Sequence, residues 1–210
     1  MKKYLKIVSI IILSLFLSCN DDEGDDESTN GYDSSISLQE NLDNGVPILD
    51  ILEIIPVSDL YGLTYQGGLI YYINEADGSG LVVTPNDISS NAYFGCEGTE
   101  INGADGVDIG TGAQNTLDIL QDCNDPSSAA KICANLDLNG YQDWFQPSIN
   151  EYGAMRTNLY ESGFGNFDNF YVSSSEYHAI DMYYISMIGG NQGSNHKDLN
   201  VYYLRASRAF

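Results

Sequence analysis

The chain has 210 residues, about one domain of ordinary size, with 30 Asp and Glu against 8 Lys and Arg and a formal charge of −22. Such a charge excludes polyanionic ligands, because nucleic acid, anionic lipid headgroups and sulfated glycans are all repelled by it. Neutral or cationic partners are favoured instead.

Lys2, Lys3 and Lys6 precede the apolar run Ile7 to Leu17, followed by Ser18 and Cys19. A basic start, an apolar stretch too short to span a bilayer and a small residue before the cysteine describe an export signal. The Phe16-Leu17-Ser18-Cys19 junction resembles a bacterial lipoprotein signal. That implies removal of residues 1–18 and lipidation of Cys19, with plain secretion as the alternative. Removing three lysines takes the charge from −22 to −25. Residues 19–35 are then an acidic, disordered tether led by Asp21, Asp22, Glu23, Asp25, Asp26 and Glu27. Acidic residues directly after the cysteine resemble the surface-export signal of some Gram-negative lipoproteins. The expected address is the outer membrane, held by the lipid and exposed at the cell surface.

Cys96, Cys123 and Cys133 remain, which predicts one disulfide and one thiol with three pairings open. Cys96 with Cys123 is favoured because the two flank one Gly-rich excursion, leaving Cys133 buried on a helix.

Residues 36–60 form an N-terminal arm expected to pack on the domain. SLQENLDNG reads as a short helix stopped at Gly45, and Pro47 and Pro56 break the rest of the arm into pieces. The domain proper, 61–210, opens with a β-hairpin: Leu69 to Ile73, a turn rich in Asn, Asp and Gly, then Leu81 to Thr84. Asn86 to Gly112 reads as a long structured loop. Asn115 or Thr116 is expected to cap a helix. Pro126 and Ser127 start another, with Ala129, Ala130, Cys133 and Leu136 on one face and Gly140 as its end. In NGYQDWFQPSINE, residues 139–151, Trp144 is a core anchor. Ser148 and Glu151 have capping-box spacing for a helix reaching about Leu159. A loop anchored by Phe164 and Phe167 leads to strands at Phe170 to Ser174, Met182 to Ile188 and Asn200 to Ala209, the last two joined by a polar hairpin loop, Gly189 to Asp198. The class is α+β, with a mostly antiparallel sheet, two or three helices and long structured loops.

TYQGGLIYYI at 64–73, GCEGTEINGADGVDIGTGAQNT at 95–116, AAKICANLDLNGYQDWFQPSINE at 129–151, YVSSSE at 171–176 and YYLRASRAF at 202–210 together resemble the Lcl C-terminal domain-like family, named for part of a bacterial collagen-like adhesin. The resemblance implies a C-type-lectin-like fold with neighbouring termini. Val172 stands where the family usually has tryptophan, and Gln146 where it has leucine. The adhesin binds sulfated glycosaminoglycans through basic residues. Here the domain has only Lys131, Arg156, Lys197, Arg205 and Arg208, so a heparin-like ligand is not expected.

Ser173, Ser174, Ser175, Glu176 and His178 contain the residue types of a serine hydrolase, but no nucleophile-elbow pattern surrounds them. A strand whose serines bond the backbone is expected instead. A Cys133–His178 pairing is disfavoured by burial of the thiol. Asn102, Asp105 and Asp108 form an oxygen-rich loop of a kind that suits calcium. Loop-stabilising bonds to the backbone are the favoured reading, so no cofactor and no metal is expected. His178 and His196 lie apart and belong on the surface. Arg205 and Arg208 are expected to pair with a carboxylate such as Glu151, Glu176 or Asp143 and tie the sheet to the hub. Aromatic loop residues are the functional lead. Tyr177, Tyr183, Asn191, Gln192, Asn195 and His196 suit stacking on sugar rings with bonds to hydroxyls. The expectation is a non-catalytic adhesion domain for neutral glycans or extracellular proteins. The alternatives are a structural, self-associating envelope oligomer or an enzyme on a lectin-like scaffold.

Overall fold

The computed structural model describes residues 31–210. The signal segment, Cys19 and most of the tether lie outside the described residues. Residues 31–35, expected in the tether, are bound to the arm: Asp33 N donates to Asn41 Oδ1 at 2.8 Å and Asn41 Nδ2 donates to Asp33 O at 2.9 Å.

Helix α1 (Leu38–Asp43) starts with a capping box in which Ser37 and Glu40 satisfy each other's backbone N–H, and it ends before Gly45 at φ 82°. Pro47 and Pro56 sit at the N-caps of α2 (Ile48–Leu52) and of a 3-10 turn (Val57–Leu60), where their missing N–H costs nothing. Leu42, Ile48, Ile51 and Leu60 are buried in the same cluster as Ile70, Val82 and Trp144, so the arm contributes to the core.

Two sheets come after the arm. One has the order β1 (Thr64–Tyr65), β2 (Gly68–Ile73), β3 (Gly80–Val83), β9 (Ser207–Ala209), all antiparallel. The other has the order β4 (Ser89–Ala92), β8 (Tyr202–Leu204), β5 (Phe170–Glu176), β6 (Asp181–Ser186), β7 (Gln192–His196). Within it only β5 and β8 run parallel, at Tyr171 opposite Tyr203. The architecture is therefore α+β with mostly antiparallel sheets.

Three helices pack on the second sheet: α3 (Gly112–Asp122), α4 (Ala129–Ala134) and α5 (Ile149–Met155), the last also against β2 and continued by a π-helical turn (Arg156–Tyr160). The second sheet separates two apolar clusters. Val172, Met182, Tyr202 and Leu204 face α3, α4 and Trp144, while Tyr171 and Ile185 face α5 and the first sheet. Trp144 is 2% exposed and donates Nε1 to Tyr141 O, as a core anchor should. The next residue, Phe145, exchanges two 2.8 Å backbone bonds with Ser207, so the hub extends the edge of β9. Tyr65 and Phe210 meet edge-on at 4.9 Å, which brings the two ends of residues 61–210 together.

Several expectations are corrected. The supposed hairpin loop 189–198 contains β7, and the loop 86–112 contains β4. Both strands are polar and take their conformation from a neighbour rather than from their own propensity. Asn200 to Ala209 is two strands, because the chain crosses between sheets at Arg205 and Ala206. Helix α3 begins at Gly112; Asn115 and Thr116 lie inside it, buried, and act as ties instead of caps. Asn115 Nδ2 donates to Gly106 O at 2.6 Å and to Ser174 Oγ at 3.2 Å. Helix α4 stops at Asn135, and Gly140, at φ 84°, belongs to the turn that joins Leu138 to Tyr141. Phe167 is buried, but Phe164 is 43% exposed and lies over Gly62, where a Cβ would come within 2.6 Å of its ring.

Candidate functional site

The long loop between β4 and α3 is held by three separate locks. Cys96 and Cys123 are disulfide-bonded with an S–S distance of 2.07 Å, and Cys133 is a buried free thiol whose pKa burial pushes far up. Glu176, at the end of β5, pairs with fully buried Lys197. Glu176 also accepts from Ile101 N at 3.0 and 3.1 Å, and Lys197 Nζ donates to Thr99 O at 2.7 Å while sitting 5.0 Å over the Phe94 ring. A buried pair with this many bonds fixes one arrangement of loop against sheet, because any shift leaves a charge without a partner. The third lock is Glu151. It is fully buried with no cation partner among the described residues, and accepts from Ser148 N at 2.8 Å, Gly110 N at 2.9 Å and Gly112 N at 3.3 Å. Burial pushes its carboxyl above the usual range, and the three N–H donors pull it partly back.

Arg208 pairs with Asp143, as expected of a tie between sheet and hub, and stacks 4.0 Å over Tyr141. Arg205 does not reach Glu151, Glu176 or Asp143. At the crossover between sheets its Nε bonds Asp87 Oδ1 at 2.6 Å, and its other nitrogens donate to Thr84 O at 3.0 Å, Pro85 O at 2.9 Å and Gly165 O. Its guanidinium lies 4.0 Å over Phe167. Asp87 and the Glu176–Lys197 pair carry no local sequence signal. A lone lysine in a polar run reads as solvated, and only the fold buries it.

The serines of β5 are tied to the scaffold. Ser173 Oγ donates to Tyr183 O and Ser175 Oγ to Gly106 O, each at 2.7 Å, and Ser174 Oγ accepts from Asn115. His178 bonds Asp181 at 3.2 Å and is half exposed. Among the described residues no group of three or more His, Cys, Asp or Glu could hold a metal ion. Gln146 and Val172 meet each other: Gln146 Nε2 donates to Val172 O at 3.4 Å. Gln146 Oε1 is the one buried side-chain polar atom without a partner among the described residues.

The β6–β7 ladder decides how the sugar-stacking candidates are arranged. Its register sets Asp181 opposite His196, Tyr183 opposite Ser194 and Ile185 opposite Gln192. Since alternate residues share a face, Tyr183, Gln192, Ser194 and His196 stand on one side of the sheet. Tyr177, 52% exposed, joins them through an edge-on contact with Tyr183 at 5.2 Å, and stacks on His178 at 4.9 Å. His196 Nδ1 reaches Glu97 Oε2 at 3.4 Å, so the disulfide-held loop borders this face. Gln192 lies against α5 at Gly153. Asn195 points to the opposite side, where its Nδ2 donates to Tyr202 OH at 3.0 Å and supports the Tyr184–Tyr202 ring pair. Asn191 sits in the turn at the far end of the ladder, its backbone oxygen bonded to Ser186 N. Four of the six candidates therefore converge; Asn195 is a core tie and Asn191 stands apart. Compared with known proteins, the chain matches no family model and no curated protein.

Proposed function

We propose that the chain is a cell-surface lipoprotein whose 61–210 domain, C-type-lectin-like in kind, is a non-catalytic binding module for a neutral, hydroxyl-rich glycan of an extracellular partner. The observation that carries this reading is the placement of Tyr177, Tyr183, Gln192 and His196 on one face of β6–β7. The exposed Tyr177 ring and the partly buried Tyr183 ring offer stacking surfaces, and the amide, the imidazole and Ser194 offer bonds to hydroxyls. The excess of carboxylates argues against sulfated ligands. The scaffold beneath is cross-linked by the Cys96–Cys123 disulfide and the buried Glu176–Lys197 pair, which lowers the ordering cost of binding.

Glycan-array binding by the full chain, with and without calcium, tests the reading. A neutral glycan should be retained, and Tyr177→Ala should weaken it about tenfold, equivalent to ~1.4 kcal/mol for one lost stacking contact. Absence of any bound glycan together with a stable oligomer in light scattering would replace this reading with a self-associating structural role.

A further inference from the structure

On the far side of the hub a groove of about 290 Å³ opens between α3, α4 and residues 142–145. Leu117 and Leu120 of α3, Ala134 of α4, Trp144 and Phe145 line it, and Gln142 and Asp143 stand at its rim. Leu117 is 60% exposed, although α3 buries its adjacent face through Thr116 and Ile119. At about the lower limit for small-molecule pockets, the space suits one or two apolar side chains of a docked segment.

Charge decides the occupant. Asp143 keeps 61% of its side chain exposed even while paired with Arg208, and Asp137 accepts from Gln142 beside it. Asp125 lies beyond Leu120, in the cavity that adjoins the groove there. The cations of the described residues are mostly taken: Arg156, Lys197, Arg205 and Arg208 are each bonded to a carboxylate. Lys131, beside Asp125, is the exception near the groove. A second copy would bring two bodies of charge −22 together, which is unfavourable.

We propose that this groove docks a cationic, amphipathic segment of another protein. A leucine-like side chain fills the space beside Trp144, and flanking Lys or Arg residues meet Asp137 and Asp143. The proposal is independent of the glycan reading, since the two surfaces share no residue.

The chain has a single tryptophan, Trp144, so the groove carries its own reporter. The probe is a Trp-free helical peptide of leucine and lysine, titrated into the full chain with tryptophan emission as readout, alongside its leucine and glutamate counterpart. The lysine peptide should shift the emission saturably and bind at least tenfold tighter than the glutamate one. Leu117→Asp should weaken it about tenfold even though the substitution adds a negative charge. Ile188→Asp, at another exposed apolar residue, should leave it unchanged. Equal or tighter binding by Leu117→Asp, equal binding of the glutamate peptide or absence of an emission change would each overturn the proposal. So would self-association of the chain that Leu117→Asp abolishes, which would make a second copy the occupant.

Discussion

Replacing Arg205 by alanine tests the reasoning about the crossover most directly. The residue is 1% exposed, and its side chain holds Asp87, three carbonyl oxygens and the face of Phe167 at once. Its removal leaves a carboxylate without its cation and three acceptors without donors. Breaking a buried pair typically costs about 3–5 kcal/mol. Asp87 keeps 21% of its side chain in solvent and still accepts from Tyr171 OH at 2.9 Å, which moves the expected loss to the lower end, about 3 kcal/mol. A domain of this size has about 5–15 kcal/mol in total, so the variant should fold but be visibly weakened. In urea, with a slope of about 2 kcal/mol per molar, the midpoint should fall by about 1.5 M. Arg205→Lys should recover only part of the loss, because an ammonium cannot fork to Asp87 and the carbonyls together. A midpoint for Arg205→Ala within about 0.3 M of the parent, at unchanged slope, would refute the clamp.

Two further outcomes are expected of the Glu151 lock. Gly112→Ala ought to stabilise α3 by about 1 kcal/mol on propensity alone. A Cβ there would stand 2.3 Å from Glu151 Oε2, 2.8 Å from Ser148 N and 2.9 Å from Gln146 O, so overpacking should win, with a net loss of about 2 kcal/mol and a melting temperature lower by about 4–8 °C. A raised melting temperature would mean that the hub and α3 do not meet this closely. For pH, Glu151 has its pKa raised in the fold, so its contribution is fully present below the ordinary glutamate pKa of 4.5 and is lost as pH rises through the raised value. The stability of the parent relative to Glu151→Gln should therefore decline above pH 4.5 and then level off. Urea titrations at a series of pH values read this difference, and a constant difference would show that the carboxyl is not desolvated.

Interactions that close within a few residues are readable along the chain. The Ser148–Glu151 capping box, the breaks at Pro47 and Pro56 and the hairpin of β2 and β3 all depend on neighbours in sequence, and all occur where expected. The Cys96–Cys123 bridge, favoured among three pairings, is the one formed. The Arg208–Asp143 tie also forms as expected, since carboxylates at the hub are few. Asn115 misleads because a residue type that caps helices from outside can equally bond a loop from within one, and its local sequence does not distinguish the two.

Composition and local pattern by themselves determined the α+β class, the strongly anionic character, and the local stops and starts of the helices. The tertiary structure alone decided that QGSNH is a strand, that Lys197 is buried against Glu176 and that Arg205 serves Asp87. It also decided which candidate residues share a face. In a strand the side chains alternate, so a shift of one residue in the β6–β7 register would turn Asn195 outward and bury Gln192 and His196. That register depends on pairing between segments, on the turn at Gly189–Asn191 and on what lies above and below the sheet. None of these is a property of the strand's own residues.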